Sequence, residues 1–313
     1  MSSLGLFYAF AATACWAIAV FPLTAASRQL PVSSMNHLRL LLATLVLFIA
    51  GAIIEGAGFL QIFSPQYTNA WLWLGFSGIL ALVVGDFFSF RSYAILSPQY
   101  GSVLTTLSPA SALLFGILLV DEHINWVGIT GMLITIIGVM SISLGRAQRD
   151  KIPNHGHGSV VRGIVFGILA AACHGGALAF SKKGFIEQPA EYPIGPLGAT
   201  FIRVVTATLL IYLITIITGK IRTVLTHIRD SRAGIRNTIG GTVFNPILSV
   251  SFSMFAILFM DVAVAQTIFA MVPLFALFIA FFVYKEKITT RSIFGVIAAL
   301  AGVALLIWRN KLM

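Results

Sequence analysis

A carboxylate in an oily stretch is the first residue of this sequence that could do chemistry. Asp86 lies in LVVGDFFSF. A buried carboxylate is costly in hydrocarbon and normally faces a cavity or a partner. Here it would bind an amino or other cationic group, or carry a coupling proton; the structural alternative is an ion pair with Arg91. His174, in AAACHG, offers an imidazole for a cavity wall or for a bond to a neighbouring helix. Trp16 follows Cys15 as His174 follows Cys173, and its ring suits either stacking on a solute or packing between helices. Asn245-Pro246 interrupts TVFNPILSV, where proline frees a carbonyl that asparagine or a ligand can use. Tyr100, Ser102, Thr105 and Gln266 add hydrogen-bonding groups, although Ser and Thr in helices often bond their own backbone. These eight residues are the candidate substrate-binding set. Nothing among them has the spacing of a catalytic, metal or cofactor site.

Such residues need elements that hold them inside a membrane. The chain of 313 residues is 58% hydrophobic and 10% charged, with mean hydropathy +0.96. A soluble domain carries about 25% charged residues. This is therefore an all-α integral membrane protein, multi-pass, in the plasma or inner membrane. The net charge of +10 reads as membrane topology; no basic-aromatic patch points to nucleic acid. Both cysteines sit in apolar segments, which excludes a disulfide framework. The start, MSSLGLFYAF, lacks a basic region before its apolar run and reads as a retained first helix.

Ten membrane segments are expected, near Leu4–Thr24, Met35–Ile54, Ala70–Phe90, Pro98–Val120, Trp126–Leu144, Val160–Ser181, Pro196–Thr218, Ile239–Phe259, Val262–Tyr284 and Arg291–Trp308. The last two segments of each half repeat at an offset of 164 residues: Pro109 answers Pro273, Glu122 answers Glu286, and Gly131 and Gly138 answer Gly295 and Gly302. The prolines predict mid-segment bends. The glycines lie on one helix face and predict close approach of a neighbouring helix. The glutamates are expected to favour the positive ends of the helices they precede. Two units result, 1–145 and 160–313, with a linker at 146–159 that carries His155 and His157. A solvated loop is the expectation for those histidines. The segment GKIRTVLTHIRDSRAGIRN suggests a short amphipathic helix at the membrane surface.

Five segments per half is an odd number, so the second copy must insert upside down. Two inverted five-helix repeats are the expected architecture, as in many secondary transporters. Both termini then share one face. Four Lys and Arg residues, Lys182, Lys183, Arg309 and Lys311, lie on that face and fourteen on the other; Arg39 and Arg203 begin helices and are expected to reach for headgroups. The positive-inside rule then puts the termini outside.

The early Trp16, the Arg39 and Arg203 steps in HLRLLLATL and FIRVVTATL, the Ala94 and Ala256 steps, the paired prolines and the Glu122 and Glu286 elbows together resemble the drug/metabolite transporter superfamily, in its ten-helix form with two EamA domains. The resemblance covers nearly the whole chain. It implies transport of small metabolites, often export of amino acids or drugs. Family members commonly carry basic residues after the second helix, which fits cytoplasmic termini; EGAGFLQIFSPQYTN has none, so both orientations stay open. Multidrug relatives use a glutamate in the first helix, and neither the first nor the sixth segment here has an acidic residue. The last three segments have no Lys or Arg in mid-membrane, which argues against a phosphorylated solute. The expected partners are a small-molecule substrate, the bilayer and, through Asp86, a proton. A non-transporting scaffold and a polytopic membrane enzyme are the alternatives. The enzyme is the poorer of them, because no nucleophile accompanies Asp86 or His174.

Overall fold

Among the described residues, ten helical stretches of the computed structural model are long and apolar enough to cross a membrane. They are span 1 (Ser3–Ser27), span 2 (Val32–Ile54), span 3 (Pro65–Leu96), span 4 (Val103–Val120), span 5 (Trp126–Ser143), span 6 (Val160–Ile186), span 7 (Pro196–Ile217), span 8 (Arg232–Phe259), span 9 (Val262–Val283) and span 10 (Thr290–Trp308). The structure describes residues 2–96, 98–147, 160–189, 193–285 and 289–309, and no strand occurs among them. Helix is the form such sequences must take in lipid, because it satisfies each backbone N–H and C=O within its own segment. The His155 and His157 pair lies outside the described residues. So does Glu286.

The prolines do more than bend. Span 4 continues a helix that starts at Pro98; it breaks after Thr105, and Pro109 opens the second piece, Ser108–Val120. Span 9 breaks after Phe269, and Pro273 opens Val272–Tyr284. Proline suits a first turn, where its missing N–H has no helical partner in any case. Both second pieces then end on a residue with left-handed backbone, Asp121 at φ 52° and Lys285 at φ 53°. These positions are 164 residues apart, so the copies share their local geometry as well as their residue types. The predicted amphipathic helix is present as Ile221–Asp230, with Val224 buried and Arg222 and Arg229 exposed. Span 8 begins at Arg232, earlier than Ile239, because Ser231 caps it by accepting from the Gly234 N–H.

The chain packs as two compact units, each built from both halves of the sequence. The first holds Met1–Leu6, Val84–Ala179 and Phe259–Met313. Its seam is spans 5 and 10. A Cβ on Gly138 would lie 2.7 Å from the Gly295 carbonyl oxygen, and one on Gly302 would lie 2.5 Å from that of Gly131. Gly131 therefore meets the counterpart of Gly138, and Gly138 meets the counterpart of Gly131. Such reciprocity requires antiparallel helices related by a local two-fold axis across them. In the same unit, the carboxylate of Glu122 accepts the Val262 N–H at 2.8 Å from both oxygens. Glu122 thus caps a helix of the other repeat, not the one that follows it: Asp121 turns the chain in the left-handed region and carries the next side chain across to span 9. Arg309 donates to Asp261, and Asn125 donates to the Arg309 carbonyl at 3.1 Å.

The second unit holds Phe7–Val83 and Phe180–Leu258. Spans 2 and 7 pair through equivalent residues: the Thr44 and Thr208 hydroxyls are 2.8 Å apart, and Thr208 Oγ1 is also 3.2 Å from the Leu40 carbonyl. His37 is buried between Ser33 O and Thr215 Oγ1, at 2.7 Å from each. Glu55 ends span 2 and accepts the N–H groups of Leu197 and Gly198 at 3.0 and 3.1 Å. Burial pushes its carboxyl above the ordinary 4.5, against the pull of those two N–H bonds. Ionising Glu55 is therefore harder in the folded protein than in the unfolded chain. Its contribution is full below the unfolded value and is lost as pH rises through the folded one. Relative to wild type, Glu55→Gln should gain melting temperature as pH climbs from 4.5 through that window; thermal melts in detergent read this directly. A difference that stays flat with pH would refute it.

Candidate functional site

Local backbone decides where polar groups sit in these spans. Span 3 winds as a π-helix over Leu80–Gly85, and Asp86 is the first residue after it. Span 8 does the same over Val243–Leu248, at an offset of 163, and there Asn245 leaves helical geometry altogether (φ −146°, ψ 113°). The Asn245-Pro246 peptide is cis. π-Turns re-aim side chains and leave carbonyls without their usual partners, and they recur at functional sites. The sequence placed an interruption at Asn245-Pro246. It showed proline in span 8 and only glycine in span 3, and it did not show that both irregularities are π-helical.

In the first unit, spans 3, 4, 6 and 9 gather the polar residues. Ser89 lies one turn beyond Asp86, and its hydroxyl is 3.3 Å from His174 Nε2 in span 6. The Tyr93 hydroxyl bonds Thr105 and Ser89, and Asp86 is close enough to act on it electrostatically. Across the break after Thr105, Ser108 accepts from Gln266 Nε2 at 2.9 Å. Gly175 lets span 6 lie directly on span 4, since a Cβ there would stand 2.0 Å from Ser111 Oγ and 2.3 Å from the Ser108 carbonyl oxygen. Ser111 in turn donates to the Ala171 carbonyl at 2.8 Å. Asp86, Thr105, His174 and Gln266 thus belong to one polar track, connected by Ser89, Tyr93 and Ser108. Those three connecting residues were missed in the sequence. Ser89 and Tyr93 follow Asp86 at helical spacing of three and seven, which was the available signal.

The remaining candidates divide. Tyr100 and Ser102 sit on the helix Pro98–Thr105, and their side chains lie outside the described residues. Trp16 and Asn245 are half-buried and belong to the second compact unit. Arg91 does not pair with Asp86. It is exposed, with its guanidinium 5.4 Å from the Phe87 ring centroid, because residues five apart on a helix point to different sides. Arg39 and Arg203 do not reach for headgroups either; each is 5% exposed and packed within the second unit. Both are buried within the protein. Among the described residues no cluster of His, Cys, Asp or Glu could hold a metal ion.

The chain matches the EamA-like transporter family over residues 3–144 and again over 161–308. It belongs to that family. Two EamA copies make it a ten-helix member of the drug/metabolite transporter superfamily, and a multi-pass membrane protein. An "Uncharacterized transporter" of Archaeoglobus fulgidus is 28% identical to the EamA chain over 145 residues, 46% of this chain and 48% of the relative. The matched part is just under half of that relative's length. A solved structure described as "Crystal structure of protein" superposes with a TM-score of 0.70 over 100% of both chains at 15% identity, which is likeness of fold.

Proposed function

We propose that this EamA protein is a secondary transporter that exports a small organic metabolite, an amino acid, amine or drug-like solute, by alternating access between inverted repeats. The observation that carries the reading is the polar track of the first unit. Ser89, Tyr93, Thr105 and His174 form one hydrogen-bonded network, with Asp86 close enough to act on Tyr93 electrostatically, inside segments long enough to span about 30 Å of hydrocarbon. Polar networks of this kind are expensive in a membrane and mark solute or proton pathways. The breaks at Thr106-Leu107 and Ala270-Met271, and the two π-turns, divide four spans into short rigid pieces that can reorient while their cores stay packed. Asp86 is the residue we assign to the cationic group of the solute or to a coupling proton. Trp16, Tyr100, Ser102, Asn245 and Gln266 are the other residues we propose to contact solute.

The test is solute flux in proteoliposomes with purified protein. Asp86→Asn keeps the shape and removes the charge. Flux per folded molecule, or its dependence on pH, should fall by at least about tenfold, equivalent to ~1.4 kcal/mol. Unchanged flux and unchanged pH profile in well-folded Asp86→Asn protein would remove Asp86 from the mechanism.

A further inference from the structure

Arg203 is a cation buried in span 7 with no anion beside it among the described residues. It stands seven residues after Pro196, about 10 Å along the helix at 1.5 Å per residue. Its Nη1 donates to Met254 Sδ in span 8 at 3.3 Å, and a thioether is a weak acceptor. Its Nε is fully enclosed and has no hydrogen-bond partner. None of the ion pairs Lys183–Glu187, Arg229–Asp230 and Asp261–Arg309 includes Arg203. A buried guanidinium held this way is strongly disfavoured unless something supplies the missing charge.

The surroundings are fixed by four spans of the same unit. Span 3 lies on the Arg203 backbone at Gly78, where a Cβ would stand 2.1 Å from the Arg203 carbonyl oxygen. Next to Gly78, Ser77 accepts from Ser181 of span 6 at 3.0 Å. The residue after Ser181, Lys182, directs its Nζ to the Ile257 carbonyl of span 8. Ile257 is three residues beyond Met254, about 4.5 Å along the helix. Arg203 and Lys182 therefore each contact span 8, at residues three apart in sequence.

We propose that the second unit binds the carboxylate of a small organic anion at Arg203, with Lys182 as the adjoining charge. Nη1 is turned to Met254, so the Nε–Nη2 edge of the fork is left over. That edge presents two parallel donors, the geometry a carboxylate accepts in bidentate fashion. A phosphate would bring a third oxygen and a second charge into surroundings where Lys182 already serves a carbonyl. The proposal refines the transporter reading and rests on it only for the translocation step after binding.

Thermal melts of the full-length protein in detergent test it, with benzoate, neutral benzamide and inorganic phosphate as probes. Benzoate should raise the melting temperature saturably, and benzamide and phosphate should not. Arg203→Met should abolish the benzoate response and leave the ligand-free protein at least as stable as wild type, because it removes an uncompensated charge. Arg203→Lys keeps the charge and loses the fork, and should weaken the benzoate response at least about tenfold in apparent affinity. The proposal is overturned if wild type responds equally to benzoate and benzamide, if phosphate is the stronger ligand, or if Arg203→Met keeps the response. It is also overturned if Arg203→Met and Arg203→Lys both lower the ligand-free melting temperature, since Arg203 would then be structural. Benzoate binding without flux of any solute would count against the transporter reading alone. Flux without benzoate binding would count against this site alone.

Discussion

Replacing Gly138 with valine is expected to cost this protein its folded state. The Cβ would lie 2.5 Å from the Ala299 nitrogen and 2.7 Å from the Gly295 carbonyl oxygen. Both are backbone atoms, which cannot rotate away as a side chain can. Ordinary overpacking costs about 1–3 kcal/mol; here the whole of span 10 must retreat, so the loss exceeds that range. Spans 5 and 10 form the seam of the first unit, and without hydrophobic drive in lipid their association depends on close backbone contact. Gly302→Val should behave alike, with its Cβ 2.5 Å from Gly131 O and from Thr135 N. Gly240→Ala is the control. Nothing lies within 4 Å of its Cβ, and in a helix that change should stabilise by about 0.4–1 kcal/mol. Monodispersity after detergent extraction and melting temperature separate the outcomes. A well-folded Gly138→Val protein would mean that the seam is not as close as 2.5 Å implies.

The second large effect is expected at Glu122, and it should have no equal in the other repeat. Glu122 is 8% exposed, with both oxygens on the Val262 N–H, and Gly116 leaves it room. Glu122→Ala removes a charge-assisted hydrogen bond worth about 1.5–3 kcal/mol and strands a buried donor at a further ~1–3 kcal/mol. Glu122→Gln keeps an acceptor and should lose less. Glu286 is the repeat counterpart of Glu122, and the counterpart of Val262 is Pro98. Proline has no amide hydrogen, so the same bond cannot form there. Glu286→Ala should therefore cost under about 1 kcal/mol. The residues that make the other ties at these helix ends also have no like residue at the equivalent position. Glu55 answers Gly219, and the Asp261–Arg309 pair answers Ser97 and Gly145. Equal melting temperatures for Glu122→Ala and Glu286→Ala would show that the repeats are held symmetrically after all.

Several features of the fold could be read from residue types alone. Ten apolar runs of sufficient length, the 164-residue offset, and matched proline, glycine and glutamate determined ten spans in two copies. Those signals are local or periodic, and in lipid a long apolar run has one stable form. The same offset identified Gly131, Gly138, Gly295 and Gly302 as sites of close approach. It did not say that they approach one another, because pairing is a property of two helices and a sequence describes one at a time.

The candidate site was legible in part for the same reason. Asp86, Thr105, His174 and Gln266 stood out because a polar residue in an apolar run is visible wherever it occurs. Ser89, Tyr93 and Ser108 join them only through the packing of spans 3, 4, 6 and 9. Arg203 shows the limit most clearly. By position it could have reached the headgroups, and its sequence neighbours are compatible with that. Only the tertiary structure, with Gly78 bringing span 3 onto its backbone and Met254 meeting its guanidinium, decided that this charge is enclosed. Length and hydropathy determine that a segment lies in the membrane; which of its faces meets lipid and which meets protein is set by the neighbours that the fold supplies.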